Sequence, residues 1–529
     1  MPRVAAALLA LLLAATAAAD RPHRPGRIVA GPAAAAQRSG PLVPAFTLFG
    51  WVSPPLDSTT AGRYAELAQA GFNMTVLAWE DSGRVSDNRK RLDFTRGIGV
   101  RNLLFDRELE QVLPFDARSY GHLDSVASRY RDDPAFLGYY LGDEPPASSF
   151  IELQEYARQL RVRDPAHMSW NNLLGRSGFS SRQDWLDYTN RYAAMMQPAV
   201  LCNDQYEFLQ SGDRHQLIEN VAGLASVART YGIPFWGIVL LVQHGDYRAV
   251  DAGMLRWQIG QWLAYGAHGI GYFTYWTPAP DSIYHWQPAM ITWGEGARTW
   301  YYGFVQQLDR RLRPLGETLA RLQWLAAEHA GSVEHGGTAF APDSLIAAVE
   351  GRCALGLFAD SAGAPCVFVA NSDSARSQTI ALTFRGVRDA SQLDSLGAWR
   401  PLAPLPAQGG VRVALALAPG DFTLLRLTQP LDALGAGGGP LRLLAGPQPA
   451  RASVRFEASG MSGAAHLELL DVTGRRIWAR RFDTGASVVQ WDGRCDDGHR
   501  ATAGLYFARL EDARAVRVRR VTWLGQAAR

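Results

Sequence analysis

Residues Phe136-Leu-Gly-Tyr-Tyr-Leu-Gly-Asp-Glu-Pro-Pro146 decide how this chain folds. The run Phe136–Leu141 has the length and apolar content of a strand buried on both faces. Asp143 and Glu144 then bring two carboxylates, and Pro145 and Pro146 end any further ladder pairing. In a parallel βα barrel, functional groups stand at the C-terminal ends of the strands, at the mouth. An apolar strand that stops on two acids fits that position.

Reading outward, seven more apolar runs can be set beside it: Phe46–Trp51, Asn73–Trp79, Val100–Phe105, His167–Leu173, Ala199–Gln205, Pro234–Val242 and Gly269–Trp276. Segments with helical spacing separate them. Ser58 and Thr59 suit the cap of a helix reaching Gln69, with Gly71 as its stop. Phe150, Leu153, Tyr156 and Leu160 mark one face of another helix, and Leu217, Val221, Leu224 and Val227 do so in a third. Asp251 to Tyr265 is apolar almost throughout, and a last helix is expected over roughly Thr299–Ala327. Eight strand–helix pairs make residues 45–330 a (β/α)8 barrel, of α/β class.

After Gly331 the pattern turns to short alternating runs. Ser344–Val349, Cys353–Phe358, Cys366–Ala370, Thr379–Phe384, Val411–Ala416 and Phe422–Leu427 predict a β-sandwich over 331–428. A Gly/Pro-rich linker, 429–450, leads to a small β domain at 451–529. At the other end, Met1-Pro-Arg3, a short Ala/Leu run and Ala17-Ala-Ala19 spell a secretory signal over 1–19, followed by a flexible leader at 20–44. The expected localisation is therefore secreted: extracellular, cell surface or periplasm.

Lys and Arg number 53 against 50 Asp and Glu, and this near balance gives no reason to expect a nucleic acid partner. The glycines at Gly266, Gly269 and Gly271 precede no helix, so they form no dinucleotide fingerprint. No cofactor, metal site or transmembrane segment is expected. Of the four cysteines, Cys353 and Cys366 stand at the ends of an expected hairpin and could pair outside the cell.

Several segments together resemble the retaining (β/α)8 glycosidases, and in particular a group of secreted glycosidase-like proteins. They are Gly138-Tyr-Tyr-Leu-Gly-Asp-Glu-Pro145, Trp170-Asn-Asn-Leu173, Asn203-Asp-Gln-Tyr206, Gly232-Ile-Pro-Phe-Trp236 and Leu263-Ala-Tyr-Gly-Ala-His-Gly-Ile-Gly-Tyr-Phe-Thr-Tyr-Trp276. Leu415–Leu427 resembles the closing strands of the sandwich that follows such barrels. Leu469-Leu-Asp-Val-Thr-Gly-Arg475, Trp491-Asp-Gly493 and Ala503-Gly-Leu-Tyr-Phe507 are similar to the Ig-like domain of flagellar hook-capping proteins, which implies spacing, export or cell-surface attachment. Nothing in the sequence sets an oligomeric state.

The first resemblance implies hydrolysis of a poly- or oligosaccharide by two carboxyl groups. It places the proton donor at Glu144, before Pro145. The family carries Asn where this chain has Asp143, and two adjacent acids on an extended strand would point to opposite sides. The family's nucleophilic Glu, at the end of strand seven, is missing: this segment reads Leu241-Val-Gln-His-Gly-Asp246. Asp204, ending strand six, is the preferred second carboxylate, ahead of Glu207, Glu80, Asp106 and Glu295. Asp143, Asn172, Tyr206, Gln243 and His244 are expected to hold sugar hydroxyls, and Trp79, Tyr275 and Trp276 to stack under a ring. The missing Glu also motivates a noncatalytic carbohydrate-binding or surface protein on a degenerate barrel, and a lyase or transglycosidase on the same scaffold stays open.

Overall fold

The computed structural model describes residues 43–525 apart from 78–80, 113–114, 408–409, 429–441, 447–449, 451–452, 462, 472–473, 483–484 and 513–515. The signal sequence, most of the leader and of the linker, and Trp79 and Glu80 lie outside the described residues.

Eight parallel strands form one sheet: β1 (Thr47–Trp51), β2 (Met74–Thr75), β3 (Arg101–Leu104), β4 (Phe136–Asp143), β5 (Met168–Asn172), β6 (Leu201–Asp204), β7 (Phe235–Leu240) and β8 (Gly269–Phe273). Their order is β5-β4-β3-β2-β1-β8-β7-β6. A parallel bridge from Leu173 to Asn203 joins the two ends, with Leu173 N donating to Cys202 O at 2.9 Å. The sheet is thus a closed barrel. Helices α1 (Ala61–Gln69), α2 (Val85–Thr95), α3 (Ala117–Tyr130), α4 (Phe150–Arg163), α5 (Arg182–Met196), α6 (Leu217–Tyr231), α7 (Ala252–Ala264) and α8 (Trp300–Leu319) follow the strands in turn.

Aromatic rings fill the barrel interior. Trp170 lies 5.9 Å from Trp51, 5.8 Å from Tyr140 and 6.4 Å from Trp236, centroid to centroid. These rings close the barrel to solvent and leave its mouth as a shallow floor of Trp51 and Tyr140, each 6% exposed.

Two boundaries differ from expectation. Thr60, not Ser58 or Thr59, caps α1, its hydroxyl accepting from Arg63 N. The last helix stops at Leu319, and Gln323–Ala330 pairs antiparallel with Cys353–Ala359. The sandwich therefore begins at Gln323 rather than after Gly331. It comprises a six-stranded and a four-stranded sheet. The four strands not expected from sequence, Gln323–Ala330, Asp389–Leu393, Trp399–Pro401 and Leu405–Ala407, lie at or beside sheet edges, where half-exposed residues blur the alternation.

The apolar character of α7 follows from its place between barrel and sandwich. Phe358, Phe368, Phe422 and Leu424 of the sandwich share one core with the barrel. A helix covered on two sides has no face to leave polar. Cys353 and Cys366 do not pair: in the hairpin register Cys353 faces Asn371 and Cys366 faces Phe358. Five rungs at about 3.3 Å put them far beyond disulfide reach. Beyond the linker, sheets of three and four strands enclose a separate core in which Phe456 stacks on Trp478. No helix among the described residues is long and apolar enough to cross a membrane.

Candidate functional site

Three strands deliver polar groups to one point of the mouth, and the period of two explains how. On β5, Asn171 points outward, accepting from the Tyr192 hydroxyl of α5 at 3.1 Å. Its neighbour Asn172 must therefore point inward. On β6, Asn203 points outward into a reciprocal amide pair with Asn220 of α6, at 2.9 and 3.1 Å. Asp204 accordingly faces in. Asp143 ends β4 opposite Asn172 in the ladder.

Asn172 ties the inward set together. Its Nδ2 donates to Asp143 Oδ1 at 3.1 Å and to Asp204 Oδ1 at 2.8 Å. Two bonds of this length laid end to end bound the two carboxylate oxygens at about 6 Å.

Glu144 departs from the extended geometry expected of adjacent acids. A bulge between Tyr140 and Gly142 shifts the β4 register, and Glu144 takes φ 44°, in the left-handed region. That conformation costs about 1–2 kcal/mol for a residue with a Cβ. It is held by Glu144 N donating to Asn172 O at 2.8 Å and, just beyond, by the Tyr188 hydroxyl on Pro145 O at 2.9 Å. The turn brings the Glu144 carboxyl into the same field as Asp143 and Asp204 instead of the opposite side of the strand.

All three carboxyls hold their protons more tightly than a free acid. Burial is the largest cause for each, followed by the charge of Asp204 for Asp143 and Glu144. The three differ in their support. Among the described residues, no hydrogen bond favours the ionised form of Glu144. Asp143 has Asn172 and the Glu144 amide. Asp204 has Asn172, its own backbone, the Tyr206 hydroxyl and the field of Arg214. Asp204 is consequently the group best equipped to carry the negative charge, and Glu144 the one best kept neutral.

An aromatic wall rises beside Asp204. Tyr206 meets Tyr247 edge-on at 5.4 Å and lies 5.6 Å from Phe273. His244 stacks on Trp286 at 4.5 Å, and Trp286 lies 5.1 Å from Tyr284. His244 Nδ1 contacts Val242 O at 2.9 Å. A carbonyl can only accept, so Nδ1 carries the hydrogen and Nε2 is the acceptor; burial pushes the ring's pKa down, keeping it neutral. Gln243 is half-buried, its carbonyl accepting from Gln287 N.

Other expected residues stand elsewhere. Tyr275 and Trp276 are 0% and 1% exposed, so neither offers a face to a sugar. Tyr275 is packed against Phe72, and Trp276 lies under the guanidinium of Arg63. Glu207 is buried and accepts from the backbone N–H groups of His215, Gln216 and Leu217, capping α6. Asp106 accepts from Arg129, Tyr130 and Glu108 N. Glu295 and Asp246 are exposed. Two surface hollows, one lined by Arg63, Glu66 and Arg298 and one by Asp106, Glu108, His122 and Arg129, are occupied by ion pairs among their own side chains.

Sequence reasoning missed Tyr140, Arg214, Tyr247, Tyr284 and Trp286. Tyr140 was hidden because it reads as plain core. The rest lie in loops after strands six, seven and eight, where only aromatic density in Tyr284-His-Trp286 gave a signal.

No protein-family model matches the chain, and no curated protein matches it. Among solved structures it is similar to a glycoside hydrolase family 5 from Bacteroides vulgatus, at 13% identity over 73% of this chain and 89% of that one, TM-score 0.47. It is also similar to a GH51 arabinofuranosidase from Xanthomonas axonopodis pv. citri, at 11% identity over 74% and 92%, TM-score 0.39. A glucosidase from Croceicoccus marinus matches at 11% identity over 85% and 93%, TM-score 0.34. At this degree of likeness none assigns a substrate or a catalytic residue to this chain.

Proposed function

We propose that this protein is a secreted glycoside hydrolase, with Glu144 as general acid/base and Asp204 as the second carboxylate. The observation that carries the reading is the Asn172-bridged cluster, in which one acid is kept neutral while another is surrounded by donors. A carboxyl kept neutral beside one better supplied with donors to carry charge is what glycosidic cleavage requires. Glu144 gives its proton to the leaving oxygen. Asp204 meets the positive charge that develops at the anomeric carbon, as nucleophile or as base to a water. Asp143 and Asp204 lie at most about 6 Å apart and both accept from Asn172, so the charge of Asp204 raises the pKa of Asp143, and Asp143 tunes Asp204 rather than facing it across the sugar. Trp51 and Tyr140 form the floor, and Tyr206, His244 and Trp286 the wall, with Gln243 beside them. Asn172 positions the two aspartates.

The test is hydrolysis of a panel of aryl glycosides and polysaccharides by the wild type and by Glu144→Gln. Turnover by the wild type and its loss in the variant are expected; full activity in Glu144→Gln overturns the assignment. The anomer first released, read by NMR, then distinguishes retention from inversion. A second reading, a noncatalytic glycan-binding protein, is favoured by one observation: the mouth of β7 presents Gln243 and His244 and no acid. Glycan binding with no hydrolysis of any panel member would establish it.

A further inference from the structure

We infer that Arg214 selects sugars bearing an anionic group, either the carboxylate of a uronic acid or a sulfate ester. This rests on the glycosidase reading for where the sugar sits. Arg214 lies in the loop between β6 and α6. That loop is fastened to the one after β7: Gln210 N donates to Asp246 O at 2.8 Å, Arg248 N to Phe208 O at 3.1 Å, and Leu209 bridges Tyr247. The result is a fixed ledge beside Asp204. On it the Arg214 guanidinium lies 5.6 Å from the centre of the Tyr247 ring, with Nη2 3.4 Å from the Tyr247 hydroxyl. Tyr247 in turn meets Tyr206, two residues beyond Asp204, and the Arg214 charge reaches Asp204 itself.

What distinguishes Arg214 is that its charge reaches Asp204 while no carboxylate is in ion-pair contact with it among the described residues. Its neighbour Arg248 is paired with Asp213 at 2.7 Å, but among the described residues no Asp or Glu lies within ion-pair distance of Arg214. A half-buried guanidinium stacked on a tyrosine, with donors unspent beside a sugar site, matches a planar carboxylate or a sulfate. The neutral state of Glu144 removes part of the repulsion that such a ligand would meet.

Binding is measured on full-length Glu144→Gln protein, which keeps ligands intact, against an array of oligouronides, sulfated oligosaccharides and neutral oligosaccharides. Arg214→Gln is then added. The expected result is strongest binding in one anionic class, weakened about tenfold or more by Arg214→Gln and by added salt, with neutral binding unchanged. Which anionic arm responds tells uronate from sulfate. Preference for neutral glycans, an equal loss in all classes on Arg214→Gln, or no binding of either anionic class overturns the inference. Hydrolysis of neutral glycosides alone would leave the enzyme reading standing and sink this one. Arg214-dependent uronate or sulfate binding without any hydrolysis would do the reverse.

Discussion

Replacing Glu144 by Gln should stabilise the protein while it abolishes hydrolysis. Glutamine keeps the shape and the backbone turn but cannot ionise. The folded state holds the Glu144 proton more tightly than the unfolded chain, because of burial and the charges of Asp204 and Asp143. Below the ordinary glutamate pKa, near 4.3, both states are protonated and the substitution is neutral. As pH rises, the unfolded chain ionises first, and the wild type loses stability up to the folded pKa. Each pH unit of upward displacement is worth about 1.4 kcal/mol. Because Glu144 stays protonated in the fold well above the ordinary glutamate range, the gain for Glu144→Gln keeps growing up to pH 8 and reaches several kcal/mol there, each ~1.4 kcal/mol being roughly 3 °C in the barrel's melting midpoint. Glu144→Gly should gain about 1 kcal/mol more, since φ 44° carries little strain for glycine. Melting curves of the three proteins at pH 4 and pH 8 provide the assay. A variant equal to or less stable than the wild type at pH 8, or a gain that is the same at both pH values, would refute the account of Glu144 as a buried acid held neutral.

Asn172→Ala removes the donors to Asp143 and Asp204, so the pH at which Asp204 ionises should rise; the acidic limb of the pH–rate profile should move up by about one unit, and an unmoved limb counts against the bridge. Asp204→Asn should lose activity at near-normal stability, whereas Glu207→Gln should lower the melting midpoint yet keep activity within a few-fold, because Glu207 holds backbone amides of the α6 cap; the opposite pattern would exchange their roles. Gly71→Ala should destabilise by more than 1 kcal/mol, since φ 113° disfavours a side chain and the new Cβ would sit 2.6 Å from the Asp309 Cβ; chemical denaturation checks it. Cys353→Ser should melt identically with and without reductant, and a reductant-sensitive wild type would contradict the hairpin register.

The barrel was legible because parallel strands buried on both faces announce themselves as unbroken apolar runs, and β4, β7 and β8 do so plainly. β2 was not: of the described part of the expected Asn73–Trp79, the strand covers Met74–Thr75. Asn172 and Asp204 could be read from the strand period, since a strand that turns one residue outward must turn the next inward. The period failed at Glu144. A bulge and a left-handed residue break alternation, and neither leaves a pattern of apolar residues to detect, although Gly142 and Pro145 flank the place. Tyr275 and Trp276 show the converse failure. Their position past a strand end suggested exposure, but the chain there pairs with Ile291, Tyr275 packs on Phe72 and Trp276 lies under Arg63, and both rings are buried.

The residues missed from sequence share one property: each acquires its role through a contact made far along the chain. Arg214 matters because Tyr247 lies beneath it, and Trp286 because His244 stacks on it. Such pairs carry no local period, so a strand-by-strand reading finds the acids at the mouth and overlooks the surfaces around them. This division also bears on mechanism. The carboxyls proposed to move protons sit at the ends of β4 and β6, where the barrel's ladder and Asn172 of β5 fix them to one another. The groups that would contact the rest of a sugar sit on loops tied by a handful of backbone bonds. Substitutions in the first set should therefore change turnover for every substrate alike, and substitutions in the second should change which substrate is accepted.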